Sequence, residues 1–170
     1  YFEDRSSTVI SVGADTAGKR VRQSFRRFNY QPGKSQMVIC TFVMEDYDAG
    51  IVAEVGLFDD NNGIFLRNEG GELSFVIKSH VTGAPEDIPI AQDDWNIDTL
   101  DGTGVSGITL DIAKAQILFM DYEWLGVGSV RFGFFINGAL YYAHQENHAN
   151  IVSSVYMTTP NLPIRYSIEN

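Results

Sequence analysis

A two-residue turn between two apolar runs constrains the fold of this chain more than any other feature. Residues 121–144 read DYEWLGVGSVRFGFFINGALYYAH, and an alternating apolar run reaches Asn137-Gly138 before a second run begins. Asn-Gly in this position is the strongest short-range hairpin signal, because both central residues of a type I′ turn need positive φ. The segment therefore predicts a long antiparallel β-hairpin.

The length of the turn also predicts which residues face each other across the hairpin. In a ribbon closed by a two-residue loop, partners lie at equal distances from the turn, and alternate pairs point to opposite sides. The predicted pairs are Ile136 with Ala139, Phe134 with Tyr141, and Phe132 with Ala143 on one side, and Phe135 with Leu140, Gly133 with Tyr142, and Arg131 with His144 on the other.

Composition extends this prediction to the whole chain. Its 170 residues suit one domain, and sixteen Gly, eleven Phe and eight Tyr favour short strands joined by turns. We expect an all-β, two-sheet antiparallel β-sandwich with about nine or ten strands and almost no helix. Because Cys40 is the single cysteine, no disulfide forms within the chain.

Individual segments give further expectations. Residues 36–44, QMVICTFVM, are apolar on both faces and predict a central strand that is covered on both sides. Residues 51–80 predict a three-stranded meander, and residues 81–107 a long connection that Trp95 anchors to the core. Prolines within residues 158–170 predict a sheet edge. Residues 111–115 predict one short helical turn that Asp111 caps.

Charge is unevenly distributed. Residues 1–34 hold seven Lys/Arg and three acids, a net charge of +4. The remaining residues have a net charge of −14, which gives −10 for the whole chain. The acidic body would repel a nucleic-acid backbone, so no direct nucleic-acid contact is expected. No apolar stretch approaches the length of a membrane span. We divide the chain into an N-terminal arm or edge strand, 1–20, and a single β-sandwich domain, 21–170.

The basic segment supplies candidate contact residues. In an extended chain Arg20, Arg22 and Arg26 share one face, opposite Val21 and Arg27. We predict that these four arginines make contacts between subunits. The alternative is that they dock on the acidic body of their own chain.

Five motifs of the chain are specific in combination: YQPGKS (30–35), GLFDDNNGIF (56–65), DGTGVSGITLDIAKAQ (101–116), WLGVGSVRFGFFING (124–138) and YMTTPNLPIRYSIEN (156–170). Together they resemble a group of virion structural proteins from marine tailed phages and large double-stranded DNA viruses. The resemblance covers roughly residues 21–170 and includes a concanavalin-like jelly-roll domain. It implies a surface role in capsid decoration, a minor capsid component or a fibre or tail. Its partners would be copies of itself and other virion proteins, and assembly would occur in the host cell.

An alternative function is carbohydrate binding, for recognition of a host surface glycan. Acids, amides and an aromatic ring occur together in two loops, and these are groups that sugar-binding sites combine. The acidic turn is also a candidate Ca²⁺ site, although it lacks the ligand spacing of an EF-hand, and turn formation alone explains its residues. The glycan-binding candidates are Asp59, Asp60, Asn61, Asn62, Asp93, Asp94, Trp95 and Asn96.

Two further pairs suggest chemistry only weakly. His144 and His148 are four residues apart, a metal-ligand spacing in a helix but not in a strand that runs into a loop, so surface or interface histidines are expected. Asp121 and Glu123 lie on one face of a predicted strand and resemble a glycosidase acid and nucleophile, without a second signal. We therefore expect no enzyme activity, no cofactor and no metal.

Overall fold

The computed structural model describes residues 7–13, 17–45 and 47–170. They form ten strands and one 3₁₀ turn, Gln92–Asp94, with no α-helix among these residues. None of their helical segments is long and apolar enough to cross a membrane. The strands are β1 (Lys19–Gln23), β2 (Gln36–Phe42), β3 (Val52–Phe58), β4 (Gly63–Glu69), β5 (Glu72–Ser79), β6 (Glu86–Ala91), β7 (Gln116–Tyr122), β8 (Ser129–Ile136), β9 (Ala139–Asn147) and β10 (Ile164–Glu169).

The strands make two antiparallel sheets that enclose one main core. The larger sheet has the order β1-β10-β3-β4-β5-β6 and the smaller the order β2-β7-β8-β9. The predicted fold class, an all-β two-sheet sandwich of the jelly-roll type, is confirmed. Alternating residues of both sheets point inward, as in β2, where Val38, Cys40 and Phe42 are buried while the residues between them are exposed.

The predicted hairpin is confirmed near its turn and differs farther away. Asn137 and Gly138 have φ of 53° and 82°, and the predicted pairs are present from the turn as far as Gly133 with Tyr142. Beyond that point a β-bulge shifts the register, so Phe132 pairs with His144 and Arg131 with Gln145. Glycine permits this irregularity, because a Cβ at position 133 would lie 2.4 Å from the carbonyl oxygen of Tyr141. As a result the predicted pairs of Phe132 with Ala143 and Arg131 with His144 are wrong.

Aromatic stacking joins the two sheets and the long connection. The Phe75 ring of β5 lies 4.2 Å from the Trp95 ring and 4.4 Å from the Phe132 ring of β8, centroid to centroid. Trp95 is buried, and its Nε1 donates to the carbonyl of Ile90 at 3.2 Å. Trp95 therefore anchors the connection to the core, as predicted.

Two local predictions are wrong for reasons of sheet order. β6 lies inside the predicted connection, as an edge strand that tolerates Pro89. β10 is central, between β1 and β3, because Pro160 and Pro163 precede the strand and leave its ladder intact.

The short turn predicted at residues 111–115 is present as a single turn. The Lys114 N–H donates to the Asp111 carbonyl at 3.1 Å, and the Asp111 side chain caps the turn by accepting from the Ala113 N–H at 3.1 Å.

The beginning of the chain joins the sandwich. β1 pairs with β10 and spans position 20, where the predicted arm ends. The Gly18 N–H donates to Asn170 Oδ1 at 2.7 Å, and Ile10 and Val12 pack against the main core. Residues 1–6 and 14–16 of the predicted arm lie outside the described residues.

Candidate functional site

The outer face of the four-stranded sheet carries apolar side chains that are open to solvent on its β2 side. Cross-strand registers place its residues in rows that run from β2 through β7 and β8 to β9. The row that begins at Met37 is mainly polar, whereas the rows that begin at Ile39 and Thr41 are mainly apolar. We call this surface the sheet face, and its residues are Met37, Ile39, Thr41, Ile117, Phe119, Asp121, Arg131, Phe135, Leu140, Tyr142 and Gln145.

The β2 side of the sheet face is open and mostly aliphatic. Met37 and Ile39 are 61% and 51% exposed, and Ile117 on β7, opposite the exposed Thr41, is 37% exposed. The prediction that β2 is covered on both sides is therefore wrong, because β2 is an edge strand with one face toward solvent. The sequence signal for this surface was a strand with two apolar faces. The local pattern predicted that this strand, β2, lies at the centre of a sheet.

Aromatic rings fill the middle of the sheet face and mostly cover one another. The Phe119 ring meets those of Phe135 and Tyr142 edge-on, with centroids 5.7 and 5.6 Å away. The guanidinium of Arg131 lies over the Tyr142 ring, 5.1 Å from its centroid. These contacts leave little flat ring surface for a ligand to stack on.

An ion pair fixes the orientation of Arg131. Its Nε donates to Asp121 Oδ1 at 2.8 Å, and its Nη2 donates to Asp121 Oδ2, which gives two parallel hydrogen bonds. This bonding raises the pKa of Arg131 above its usual value. Arg131 is therefore a permanently charged group held in place on an otherwise apolar surface.

Glu123 lies next to this pair and is held ionised. Partial burial acts to raise its pKa, but hydrogen bonds from the Ser129 N–H at 2.8 Å and the Ser35 hydroxyl at 2.5 Å hold it below the usual value. A glycosidase acid needs a raised pKa so that it can protonate a leaving group. Glu123 is therefore held in the form opposite to that of such an acid, and both oxygens of Asp121 accept from Arg131.

The two predicted glycan-binding loops lie far apart. The turn Asp59–Asn62 joins β3 to β4 beside the end of β5, whereas β6 leads into Asp93–Asn96 beside the start of β5. The two loops are therefore at opposite ends of the six-stranded sheet. Trp95 is buried against Phe75, so it cannot stack on a sugar from solvent, and its assignment as a glycan contact is corrected to a core anchor.

Internal bonds occupy the acidic turn. Asp59 Oδ1 accepts from the N–H groups of Asn61 and Asn62, both at 2.9 Å, and its Oδ2 accepts from Arg27 at 2.6 Å. Although burial opposes it, this bonding holds the pKa of Asp59 below its usual value. The side chain of Asn62 is bonded to Thr158 at 2.9 Å. These bonds occupy both oxygens of Asp59, whereas the Asp60 side chain is 84% exposed and accepts from Arg165 at 2.6 Å.

The four arginines do not form one stripe. Arg20 and Arg22 lie on exposed strand β1, but the strand ends at Gln23 and a bend follows, so Arg26 is not in line with them. Arg27 docks on its own domain through Asp59 and the Asn161 carbonyl, at 2.6 and 3.1 Å. Arg27 thus docks on its own chain, which is the alternative to a contact between subunits. Within the described residues Arg20, Arg22 and Arg26 take part in no ion pair.

Both histidines of the pair are buried, contrary to the expected surface position. His144 Nδ1 accepts from the Asn96 N–H at 3.3 Å, while the His148 ring stacks on Tyr156 at 4.0 Å. Within the described chain His144 Nε2 and His148 Nδ1 have no hydrogen-bond partner, and Glu146 Oε2 lies 3.5 Å from His144 Nε2. No group of three or more His, Cys, Asp or Glu among the described residues is arranged to hold a metal ion.

Burial of these histidines predicts that acid destabilises the fold. Burial lowers the pKa of both below the usual value, and for His144 it outweighs the nearby acids Glu146 and Asp94. The unfolded chain therefore binds more protons as the pH falls, and the free energy of unfolding should decrease from about pH 7 to pH 5. Urea unfolding at several pH values checks this. A His148→Phe variant, which keeps the ring on Tyr156, should show a smaller decrease, and equal slopes for both proteins would contradict the assignment.

Known proteins resemble this chain only distantly. No family model and no curated protein matches it. A Bacillus licheniformis β-glucanase is 11% identical, with a TM-score of 0.40, and the match covers 89% of this chain and 55% of that one. The HCR/D W1238A mutant is 11% identical, with a TM-score of 0.44, and the match covers 92% of this chain and 42% of that one. The botulinum neurotoxin serotype G binding domain is 12% identical, with a TM-score of 0.34, and the match covers 79% of this chain and 31% of that one. The chain spans about half or less of their lengths. Likenesses this distant concern the fold alone.

Proposed function

We propose that this chain is a structural module that works by protein–protein assembly, with the sheet face as its main contact surface between copies. The observation that supports this is the group of exposed apolar side chains on the neighbouring strands β2 and β7, where Met37 and Ile39 are each more than half exposed and Ile117 is 37% exposed. Contiguous exposed apolar surface on a folded domain is typical of an interaction site. Isolated exposed residues would need no such explanation, but these lie side by side on one sheet.

The composition of the sheet face suits a protein partner. Methionine, aromatic residues and arginine are enriched in protein interfaces, and Met37, Tyr142 and Arg131 occur here together. Because Asp121 already holds Arg131 in one orientation, little side-chain entropy is lost when a partner contacts it. Four strands about 4.8 Å apart give a face of roughly several hundred Å², which approaches the area that one partner contributes to a standard interface.

A glycan fits the same surface less well. Sugars bind to flat aromatic faces, but here Arg131 covers Tyr142, and the rings of Phe119, Phe135 and Tyr142 meet edge-on. The exposed aliphatic groups have no hydrogen-bonding capacity, and two of the Arg131 donors are already bonded to Asp121. Host-glycan recognition, the alternative from the sequence, stays a prediction without a second supporting observation.

We include a virion surface as the setting for this module, because its motifs resemble those of virion structural proteins. Copies of itself and other virion proteins would then be its partners. Assembly requires many identical contacts and no chemistry, and an open sheet face on a rigid sandwich supplies such a contact.

Ile39→Asp should weaken self-association at least tenfold, because a charge in the middle of an apolar interface must be desolvated without a partner. Light scattering over a concentration series measures the change in average mass. Val105→Asp is the matched control, since Val105 is exposed in a loop outside the sheet face. A wild-type chain that stays monomeric, or an Ile39→Asp chain that associates like the wild type, would remove the proposal.

A further inference from the structure

Phe25 is a fully exposed aromatic side chain that the backbone holds in place. It lies in a bend after β1, and the chain is fixed on both sides of it. The Ser24 N–H donates to the Ile164 carbonyl at 2.9 Å, and the Phe28 N–H donates to the Leu162 carbonyl at 2.9 Å. The Ser24 hydroxyl also closes the bend by donating to the Arg26 carbonyl at 2.7 Å. A whole phenyl ring therefore projects into water from an anchored position, which is unfavourable unless something covers it.

The charges beside Phe25 are positive and uncompensated. Arg22 and Arg26 flank it and take part in no ion pair within the described chain. Arg27, by contrast, is neutralised by Asp59. An apolar ring between two free guanidinium groups fits an apolar pocket with an acidic rim.

A pocket of that kind lies at the opposite edge of the molecule. It is a cleft of about 340 Å³ between the two sheets, next to edge strand β6. Its walls are mainly apolar, with Ile77, Ile88 and Ile90 from the six-stranded sheet and Val152, Val155 and Tyr156 from the segment after β9. Ile88 and Val152 are partly exposed, so the opening of the cleft is also apolar.

Acids border this cleft. Glu146 lies in its lining, and Glu86 on β6 is paired with Ser79, another lining residue. No Lys or Arg within the described residues neutralises either acid, and the contact of Glu146 is with buried His144, at 3.5 Å. The cleft therefore matches the ring and the two arginines in polarity and in charge.

We infer that Phe25 of one copy inserts into this cleft of a neighbouring copy, with Arg22 and Arg26 facing Glu86 and Glu146. Phe25 follows β1 and the cleft adjoins β6, which are the two opposite edges of the six-stranded sheet. Each copy then offers one ring and one cleft to different neighbours. Such a contact is heterologous, and repetition builds a ring or a filament. The inference rests on the proposed assembly role but uses a surface separate from the sheet face.

Two complementary variants test this contact. Phe25→Asp removes the inserted ring and leaves the cleft, whereas Ile88→Asp blocks the cleft and leaves the ring. Both are made in an Ile39→Asp chain, so that association through the sheet face is already weakened and the remaining mass change reports this contact. Light scattering should find that the Ile39→Asp parent associates, that each double variant is monomeric, and that an equimolar mixture of the two forms a dimer and grows no further.

Charge exchange gives a second measurement in the same background. Arg26→Glu should weaken association at least tenfold, and mixing it with a Glu146→Arg chain should restore binding between the two variants. The inference is overturned if the Ile39→Asp parent is monomeric, if the Phe25→Asp chain still associates like that parent, or if the mixed chains stay monomeric. Failure of the proposed sheet-face contact is distinct, because it appears as an Ile39→Asp chain that is unchanged from the wild type.

Discussion

Replacing Phe75 with alanine should lower the free energy of unfolding by about 3–5 kcal/mol, the usual cost of removing a buried phenyl ring. Phe75 is fully buried and stacks on Trp95 and Phe132, with centroids 4.2 and 4.4 Å away. It therefore links the six-stranded sheet, the four-stranded sheet and the long connection. The hole left by the ring cannot close easily, because its neighbours belong to elements that are fixed elsewhere.

Urea unfolding followed by tyrosine and tryptophan fluorescence measures this loss. Val105→Ala is the control, since it shortens an apolar side chain that is 94% exposed and lies outside both proposed contacts, and it should alter stability by no more than about 0.5 kcal/mol. Phe134, also fully buried, should behave like Phe75. A Phe75→Ala protein within about 1 kcal/mol of the wild type would mean that this stack does not hold the sheets together.

Turn chemistry predicted the central hairpin because the information is local. Asn137 and Gly138 need no distant partner to favour positive φ, and their position sets the pairing nearby. The register failed only at the bulge beyond Gly133. That irregularity depends on how closely the Tyr141 carbonyl approaches a residue without a side chain, and an alternating pattern of apolar residues does not encode such a distance.

Sheet order was the part of the fold that local pattern did not determine. β2 has two apolar faces, which usually means a central strand that is covered on both sides. It lies instead at an edge of its sheet, and one of its apolar faces is exposed as part of the sheet face. β10 was assigned to an edge on account of Pro160 and Pro163, but both lie before the strand. Whether a strand is central depends on partners far away in the sequence.

The candidate surfaces were found from the sequence only in part. Net charge identified the basic segment, but it did not separate Arg27, which binds Asp59, from Arg22 and Arg26, which are unpaired among the described residues. The ring of Phe25 was not singled out, because exposure of one aromatic residue follows from the bend after β1. The acidic turn drew attention as a ligand site, although the carboxylate of Asp59 binds the backbone of its own turn and Arg27.

A buried ion-pair network on the six-stranded sheet gives the second large prediction. Arg67 donates to Glu54 Oε1 from Nε at 3.0 Å and from Nη2 at 2.8 Å, and its Nη2 also binds Asp87. The Ser167 hydroxyl donates to the other oxygen of Glu54 at 2.9 Å. The side chains of Arg67 and Glu54 are only 15% and 9% exposed, so Glu54 depends on Arg67 for compensation of its charge.

Arg67→Met should therefore cost about 3–5 kcal/mol, since it leaves the Glu54 carboxylate buried without its cation. Methionine keeps an unbranched chain over the ring of Phe65, which Arg67 covers at 5.5 Å from the centroid. The loss then reports the missing charge more than missing packing. Asp87 retains Lys78 at 3.2 Å and should contribute little to the effect.

Removal of both charges distinguishes an unpaired ion from lost packing. Arg67→Met combined with Glu54→Gln should recover most of the stability, because an amide is less costly to bury than a carboxylate. Lys19→Met is the exposed counterpart: it breaks the pair with Glu169, whose side chains are 49% and 44% exposed, and should cost about 1 kcal/mol or less. If the double variant is as unstable as Arg67→Met alone, the network contributes through packing on Phe65 and not through charge compensation. If Arg67→Met and Lys19→Met lose equal stability, burial does not strengthen the dependence of Glu54 on Arg67.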